Sequence, residues 1–132
     1  MLDVEVIGHE LLGSGAPSRA TIRSWCTAAA AARSVCEGHL AIEIVNEARI
    51  AQLNATYRGT PAPTDVLAFP IDGGLAHAGP TELGDVVLCP QRVNDLREAV
   101  VHGVLHLLGM DHERDRGEML ALQAQLLAGE LA

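Results

Sequence analysis

Three of the six histidines in the chain lie within eleven residues, with a spacing that suits a metal ion. His102 and His106 are four residues apart, so on a helix their imidazoles project from one face, about a turn apart. Two imidazoles placed in this way can reach one ion at about 2.0–2.1 Å. The alternative is a pair of ordinary histidines on a half-buried helix, and the pair alone does not decide between the two.

Gly109 and His112 favour the metal site. Glycine permits the left-handed turn that ends a helix, so we predict that the chain turns back after Gly109 and brings His112 to the same ion. Three neutral imidazoles leave the full charge of a divalent metal in place and one coordination position open, which is the pattern of catalytic zinc. The remaining histidines have no such neighbours and are expected on the surface or at strand ends. They are His9, His39 and His77.

The residue after the first histidine separates two hydrolytic mechanisms. The zinc-protease motif H-E-x-x-H-x-x-G-x-x-H places there a glutamate that acts as general base. This chain has Gly103 at that position, which cannot accept a proton, so a peptidase of that kind is disfavoured. Glycine also costs about 1 kcal/mol of helix propensity relative to alanine, which indicates that another element packs closely against Gly103.

The elements that must position these histidines follow from hydrophobic periodicity. Apolar residues make up 48% of the 132 residues, enough for one packed domain over 1–132. Strands are predicted at 2–7, 39–45, 65–70 and 83–89, with a glycine-rich loop at 72–82. Helices are predicted at 18–35, at 47–57 after an Asn46 cap, from Asn94 or Asp95 to Leu108, and at 116–128 from an Asp115/Glu118 capping box.

This order of elements, β-α-β-α-β-β-α-α, predicts an α+β fold. We expect a mixed sheet of about four strands packed with about four to five helices, with a three-layer α/β variant as the alternative. The order of the strands within the sheet stays open at this point.

Charge and composition exclude several kinds of partner. The net charge is −8, and every basic residue is an arginine, which argues against a broad electrostatic grip on nucleic acid or on an anionic membrane. Aromatic residues make up only 2% of the chain, too few to stack single-stranded bases. No apolar run is long enough to span a membrane, and the first residues do not form a signal peptide. Cys26, Cys36 and Cys89 are expected to be buried reduced thiols, so a cytoplasmic protein is expected.

The motif around the histidines resembles that of a known family. Residues 102–112 read HGVLHLLGMDH, which is similar to the signature H-G-x-L-H-L-x-G-x-D-H of the YbeY family, bacterial metal-dependent endoribonucleases of ribosomal RNA maturation. Residues 54–58 (NATYR) and 63–70 (PTDVLAFP) resemble the family's N-x-x-Y-R and P-T-D-V-L-S-F-P, and residues 83–86 (LGDV) match its L-G-D-I. The resemblance spans roughly residues 40–125.

The resemblance implies a set of site residues. His102, His106 and His112 would be the ligands of one Zn²⁺ per chain, and Arg58 the functionally important arginine. From the residues alone, the favoured role of Arg58 is to complement a helix dipole. The resemblance favours a phosphate-binding role instead, because a guanidinium beside an open metal site can hold a phosphate through two hydrogen bonds. Three aspartates could each orient a histidine ring or serve as turn and cap residues. They are Asp65, Asp85 and Asp111.

The function implied by the resemblance is a single-strand-specific zinc-dependent endoribonuclease. It would act in the late maturation of the 3′ end of 16S ribosomal RNA and in ribosome quality control. Its partners would be precursor ribosomal RNA and the ribosome or ribosome-associated proteins, with no membrane. The chain departs from the family in a shortened segment at 90–96, in Thr60-Pro61 and in Ala68.

Two alternatives stay open besides this function. One is a ribosome-assembly binding factor whose zinc is structural or weakly catalytic, which the acidic charge favours. The other is a zinc amidase or peptidase that takes its base from elsewhere in the chain.

Overall fold

A four-stranded mixed sheet forms the centre of the protein. The computed structural model describes residues 2–71 and 81–129. The strands are β1 (Leu2–Ile7), β2 (Gly38–Ile44), β3 (Val66–Pro70) and β4 (Glu82–Leu88), in the order β1-β2-β4-β3. β1, β2 and β4 are parallel, and β3 runs antiparallel to β4. The predicted α+β class with four strands is therefore confirmed, and the strand order is now known.

The helices follow the predicted order along the chain. Asn46 caps the second one by accepting from the Arg49 N–H at 2.8 Å, and Asp95, not Asn94, caps the third by accepting from the Glu98 N–H at 3.2 Å. Two short 3-10 helices lie at His9–Leu12 and Pro90–Arg92. Most of the predicted glycine-rich loop lies outside the described residues. The four α-helices are α1 (Arg19–Ala32), α2 (Glu47–Arg58), α3 (Leu96–Leu107) and α4 (Glu118–Ala128).

The last helix begins two residues later than predicted. Gly117 precedes it with φ 101°, in the left-handed region, so the backbone is not helical there. The predicted capping pair still bonds to nearby backbone. Asp115 accepts from the N–H groups of Gly117 at 2.8 Å and Met119 at 3.0 Å, and Glu118 accepts from the Arg116 N–H at 2.6 Å.

Helices pack on both faces of the sheet, and the larger core lies on the side of α1 and α3, whereas the opposite face of β1 is exposed. There β2 contributes Leu40, Ile42 and Ile44 to an apolar cluster that also contains residues of α1, α3 and α4. On the other face, Val87 of β4 packs with Ile50 of α2 in a smaller cluster. Because burial removes apolar surface from water, these two clusters hold the helices against the sheet. Within the described residues no helix is long and apolar enough to cross a membrane.

The cysteines follow the expectation of buried thiols in two of three cases. Cys26 and Cys89 are buried, whereas Cys36 is exposed, and all three are free. Burial raises the pKa of the Cys26 thiol to about 12. Cys26 therefore behaves as a small apolar core residue, and the prediction for Cys36 was wrong because it lies beyond the end of α1.

At Gly103, α3 lies close against strand β4 of the sheet. A Cβ added at this position would overlap Cγ1 of Val86 on β4, so the glycine allows α3 to lie directly on the strand. This confirms the prediction of close packing at a residue that otherwise weakens the helix. It also explains, in structural terms, why the position of the zinc-protease glutamate carries no side chain.

Replacing Gly103 with alanine is expected to lower the free energy of unfolding by about 1–3 kcal/mol. The gain in helix propensity, about 1 kcal/mol, does not offset the clash, because Val86 is fully buried and stiff at its branched Cβ. Urea unfolding measures the change. Gly129→Ala is the control, since its added Cβ meets only the Gln125 carbonyl at 3.5 Å. A Gly103→Ala variant as stable as the parent would contradict the close packing.

A histidine between two carboxylates lies on the sheet face opposite α1 and α3. His39 Nδ1 is 2.7 Å from Glu82 Oε2, and Nε2 is 3.3 Å from Glu5 Oε1. Partial burial acts to lower the pKa of His39, but the hydrogen bonds and charges of Glu82, Glu5 and Asp3 outweigh it and raise this pKa above its ordinary value. The protonated imidazole is therefore favoured in the folded protein.

The contribution of His39 to stability should accordingly fall as pH rises. A raised folded-state pKa stabilises the fold fully below the unfolded pKa of about 6.5, and this stabilisation is lost as pH rises through the folded value. We expect the Tm difference between the parent and His39→Gln to be larger at about pH 5.5 than at about pH 8.5. His9→Gln serves as control, because among the described residues His9 bonds to a backbone carbonyl, that of Pro17 at 2.7 Å, and not to a carboxylate. An equal difference at both pH values would contradict the charged pairing.

Candidate metal centre and cleft

The helix that carries two of the histidines ends in the predicted turn. Gly109 has φ 93°, its N–H bonds to the His106 carbonyl at 3.1 Å, and the Met110 N–H bonds to the Leu105 carbonyl at 3.1 Å. This pair of bonds is the Schellman motif, in which a left-handed residue satisfies the last carbonyls of a helix. The chain therefore reverses at Gly109, three residues after His106.

The segment after the turn places the third histidine beside the first two. The Asp111 carboxylate accepts from the Glu113 N–H at 3.0 Å, and the Asp111 carbonyl accepts from the Asp115 N–H at 3.0 Å. Both bonds span His112 and fix the backbone on either side of it. Its ring centroid lies 5.1 Å from that of His102 and 5.5 Å from that of His106, and the latter two are 4.8 Å apart. One ring nitrogen from each histidine lies within 4.8 Å of the others.

The protonation of His106 and the unpaired nitrogen of His112 both suit a cation. Burial, followed by the neighbouring His102 and His112, lowers the pKa of His106 below its usual value, so its imidazole is neutral near pH 7. His112 Nδ1 is buried and has no hydrogen-bond partner among the described residues. A buried ring nitrogen without a partner is costly unless something else satisfies it. A neutral His106 and ring nitrogens that converge from three histidines fit a divalent ion.

The three histidines open onto a cleft of about 630 Å³. Two guanidinium groups and five carboxylates line this cleft, so the protein atoms alone give it an acidic character. A phosphate would be repelled there unless a cation offsets the carboxylates. The charged residues that line it are Arg58, Arg92, Asp65, Asp95, Glu98, Asp111 and Glu113.

Arg58 lies in the same cleft as the histidines, although it comes from α2. It is the last residue of that helix, and Gly59 ends the helix with φ 72°. Asn54, a buried residue of the same helix, donates from Nδ2 to the Ala62 carbonyl at 2.9 Å. This bond ties the segment after the helix back onto α2. The described contacts thus give the asparagine of the N-x-x-Y-R pattern a role that sequence reasoning did not assign.

Two of the three candidate aspartates take turn positions in the structure, and the third, Asp85, lies in strand β4. Asp65 accepts from the Val66 N–H at 2.8 Å and from the Thr64 hydroxyl at 3.3 Å. Asp111 holds the turn described above. Asp85 is paired in register with Ala41 of β2, and its neighbour Val86 faces Gly103, so Asp85 points to the opposite face of the sheet. Among the described residues, Asp65 and Asp111 accept the backbone hydrogen bonds of turn residues, and Asp85 is a strand residue on the sheet face away from the histidine cluster.

The side chain that does bond to a histidine of the cluster was missed by sequence reasoning. Gln123 Oε1 lies 2.8 Å from His102 Nδ1, and Gln123 is only 8% exposed. It follows the buried Met119 by four residues and precedes the buried Leu126 by three, so it lies on the apolar face of α4. A polar residue among the apolar positions of a predicted helix is the sequence signal that could have identified Gln123.

The other two histidines that the structure describes are not part of the cluster. His9 bonds to the Pro17 carbonyl and His39 to two carboxylates at the start of β2. His77 lies outside the described residues. The shortened segment at 90–96 contains a 3-10 turn in which Arg92 bonds to Glu47 of α2 at 2.8 Å.

Comparison with known proteins agrees with this geometry. A model of the family described as endoribonuclease YbeY matches residues 16–129. A relative from Alkalilimnicola ehrlichii, named endoribonuclease YbeY, is 40% identical over an alignment of 149 positions that covers 97% of this chain and 87% of the relative. A relative of the same name from Salinispora tropica is 43% identical over 114 residues, covering 67% of this chain and 72% of the relative.

A solved structure shares the fold. The solution structure of TM1509 from Thermotoga maritima superposes with a TM-score of 0.55 at 24% identity, covering 94% of this chain and 86% of that one. At this identity the likeness concerns the fold only. The family match over most of the chain, together with the relatives, shows that this protein belongs to the endoribonuclease YbeY family.

Proposed function

We propose that this protein is a zinc-dependent endoribonuclease. His102, His106 and His112 would hold one Zn²⁺. The observation that carries the proposal is the convergence of three ring nitrogens within 4.8 Å of one another, in a cleft that Arg58 also lines. The relatives that bear the name endoribonuclease support the choice of RNA as substrate.

Zinc bound by three neutral imidazoles supplies Lewis acidity toward a phosphoryl oxygen and a water of lowered pKa. The protein's own residues bind and orient the substrate. Arg58 would donate two hydrogen bonds to a phosphate and offset the charge that develops on its oxygens. The carboxylates of the cleft would disfavour a phosphate whenever the divalent charge is missing, so RNA binding in the cleft would itself depend on metal.

We further propose precursor ribosomal RNA as the substrate. The role would be late maturation of the single-stranded 3′ end of 16S ribosomal RNA and ribosome quality control, which would place the protein in the cytoplasm. A net charge of −8 gives little non-specific affinity for RNA. We therefore expect the ribosome or ribosome-associated proteins to deliver the substrate.

Cleavage of a defined RNA tests this proposal. Purified zinc-loaded protein should cut a single-stranded RNA that contains the precursor 3′ end of 16S ribosomal RNA, and leave the same sequence intact within a duplex. A chelator should stop the cutting, and added zinc should restore it. Cutting that continues at full rate after the metal has been removed would overturn the proposal.

A second function, a ribosome-assembly binding factor with a structural metal, is favoured by the acidic lining of the cleft. It predicts that zinc binds but purified protein does not cut RNA. It also predicts that a variant lacking the metal ligands still supports normal ribosomal RNA processing in cells whenever the fold is retained. Loss of processing with the fold intact would instead favour the nuclease.

A further inference from the structure

We propose that Gln123 is a positioning residue for the metal centre, acting through His102. This inference rests on the metal site of the proposed function, but not on RNA as its substrate. Gln123 Oε1 lies 2.8 Å from His102 Nδ1. Gln123 belongs to α4, whereas His102 belongs to α3, so a helix outside the histidine motif contributes to the site.

The position of Gln123 makes this contact more than a surface hydrogen bond. Among the described residues, Gln123 is one of two polar side chains that are buried, the other being Asn54. Met119 and Leu126 hold α4 in the main apolar cluster on either side of it. An amide in such surroundings requires a partner, and His102 provides one.

The chemistry of the pair selects one form of the imidazole. A carboxamide oxygen can only accept, so His102 Nδ1 must carry the proton. The lone pair of the neutral ring is then on Nε2, the nitrogen left to bind a cation. Fixing both the tautomer and the ring orientation in advance lowers the cost of binding a metal, as partners behind histidine ligands do in other sites.

The other two histidines are supported differently. Of these two, His112 has a buried Nδ1 with no partner among the described residues. Within the described part of the chain, His102 is therefore the member of the cluster oriented by a side chain from another helix. An amide, unlike a carboxylate, adds no negative charge behind the ring, so more of the positive charge would remain on the ion.

Three variants test the proposal through zinc affinity, measured by competition with a chromophoric chelator. Gln123→Leu removes the acceptor but fills the apolar position, and it should weaken zinc binding by about 10–100-fold. Gln123→Glu retains an acceptor oxygen and should bind zinc at least as tightly as the parent. Gln125→Leu, an exposed position on the same helix, should leave the affinity unchanged.

A tautomer measurement on the unmodified protein gives a second readout. Long-range ¹H–¹⁵N spectra of the metal-free protein should show His102 protonated at Nδ1, and this preference should be lost in Gln123→Leu. If Gln123→Leu fails to fold, the spectrum of the parent and the affinity of Gln123→Glu still decide the matter.

Several outcomes would overturn the inference. Unchanged zinc affinity in folded Gln123→Leu would do so, as would a Gln123→Glu variant as weak as Gln123→Leu, or a parent protonated at Nε2 of His102. A parent that binds no zinc would remove this inference together with the metal site. A parent that binds zinc, loses affinity in Gln123→Leu and cuts no RNA would support the inference while the proposed nuclease activity fails.

Discussion

Replacing His106 with alanine is expected to abolish both zinc binding and RNA cleavage. Removal of a partner behind a histidine ligand already costs 10–100-fold in affinity or activity, so loss of a ligand should cost more than about 100-fold. His106 is the best choice because it is the ligand candidate whose lowered pKa makes it neutral. Metal content of the purified protein and cleavage of the single-stranded RNA would be measured together.

The matched control is His9→Ala, the same substitution at a histidine that does not line the cleft. It should retain one zinc per chain and full cleavage. His112→Ala tests the third ligand separately, and its metal content should also fall. If His106→Ala or His112→Ala bound as much zinc as the parent, that histidine would not be a ligand, whatever the effect on cleavage.

Local sequence signals were sufficient to predict much of this site. The four-residue spacing of His102 and His106 and the left-handed turn at Gly109 are properties of one helix and its end. They depend on neighbours within a few residues, which a sequence displays directly. The same holds for the Asn46 cap and for the alternation in β1, and each of these was found in the structure where it was predicted.

What could not be predicted depends on contacts between distant segments. The strand order β1-β2-β4-β3 is set by how the helices cover the sheet, which no local pattern records. Gln123 is twenty-one residues from His102 in the chain, and only the packing of α4 on α3 brings the two together. The capping pair before α4 was recognised, but the helix start was misplaced, because Gly117 takes a left-handed conformation between the capping residues.

The aspartates are a case in which sequence reasoning suggested partners for the histidine rings that the structure does not show. Carboxylates near a histidine motif suggested partners for the rings, yet Asp65 and Asp111 accept from backbone N–H groups one and two residues away. Short polar side chains compete well for nearby backbone donors. A glutamine, whose longer side chain reaches across from a neighbouring helix, took the role instead.

Replacing Arg58 with alanine is expected to lower kcat/KM for RNA by about 100–1000-fold while leaving zinc content unchanged. Arg58 is exposed and lines the cleft, but it is not among the residues whose ligand atoms converge. Its proposed role is to hold the phosphate, so its loss should affect substrate and not metal. Single-turnover cleavage by zinc-loaded protein measures the effect, with zinc content determined on the same samples.

Two further variants separate the phosphate role from the helix-dipole alternative for Arg58. Arg58→Lys keeps the charge at the end of α2, and hence its interaction with the helix dipole, but it loses the planar two-hydrogen-bond geometry. Cleavage should therefore recover only in part, whereas stability should recover fully. Arg49→Ala, an exposed arginine on the same helix that does not line the cleft, should cut RNA normally. If Arg58→Ala cut RNA as fast as the parent and lost only stability, Arg58 would act only on the helix dipole. The phosphate would then have to be held by Arg92, the other arginine that lines the cleft.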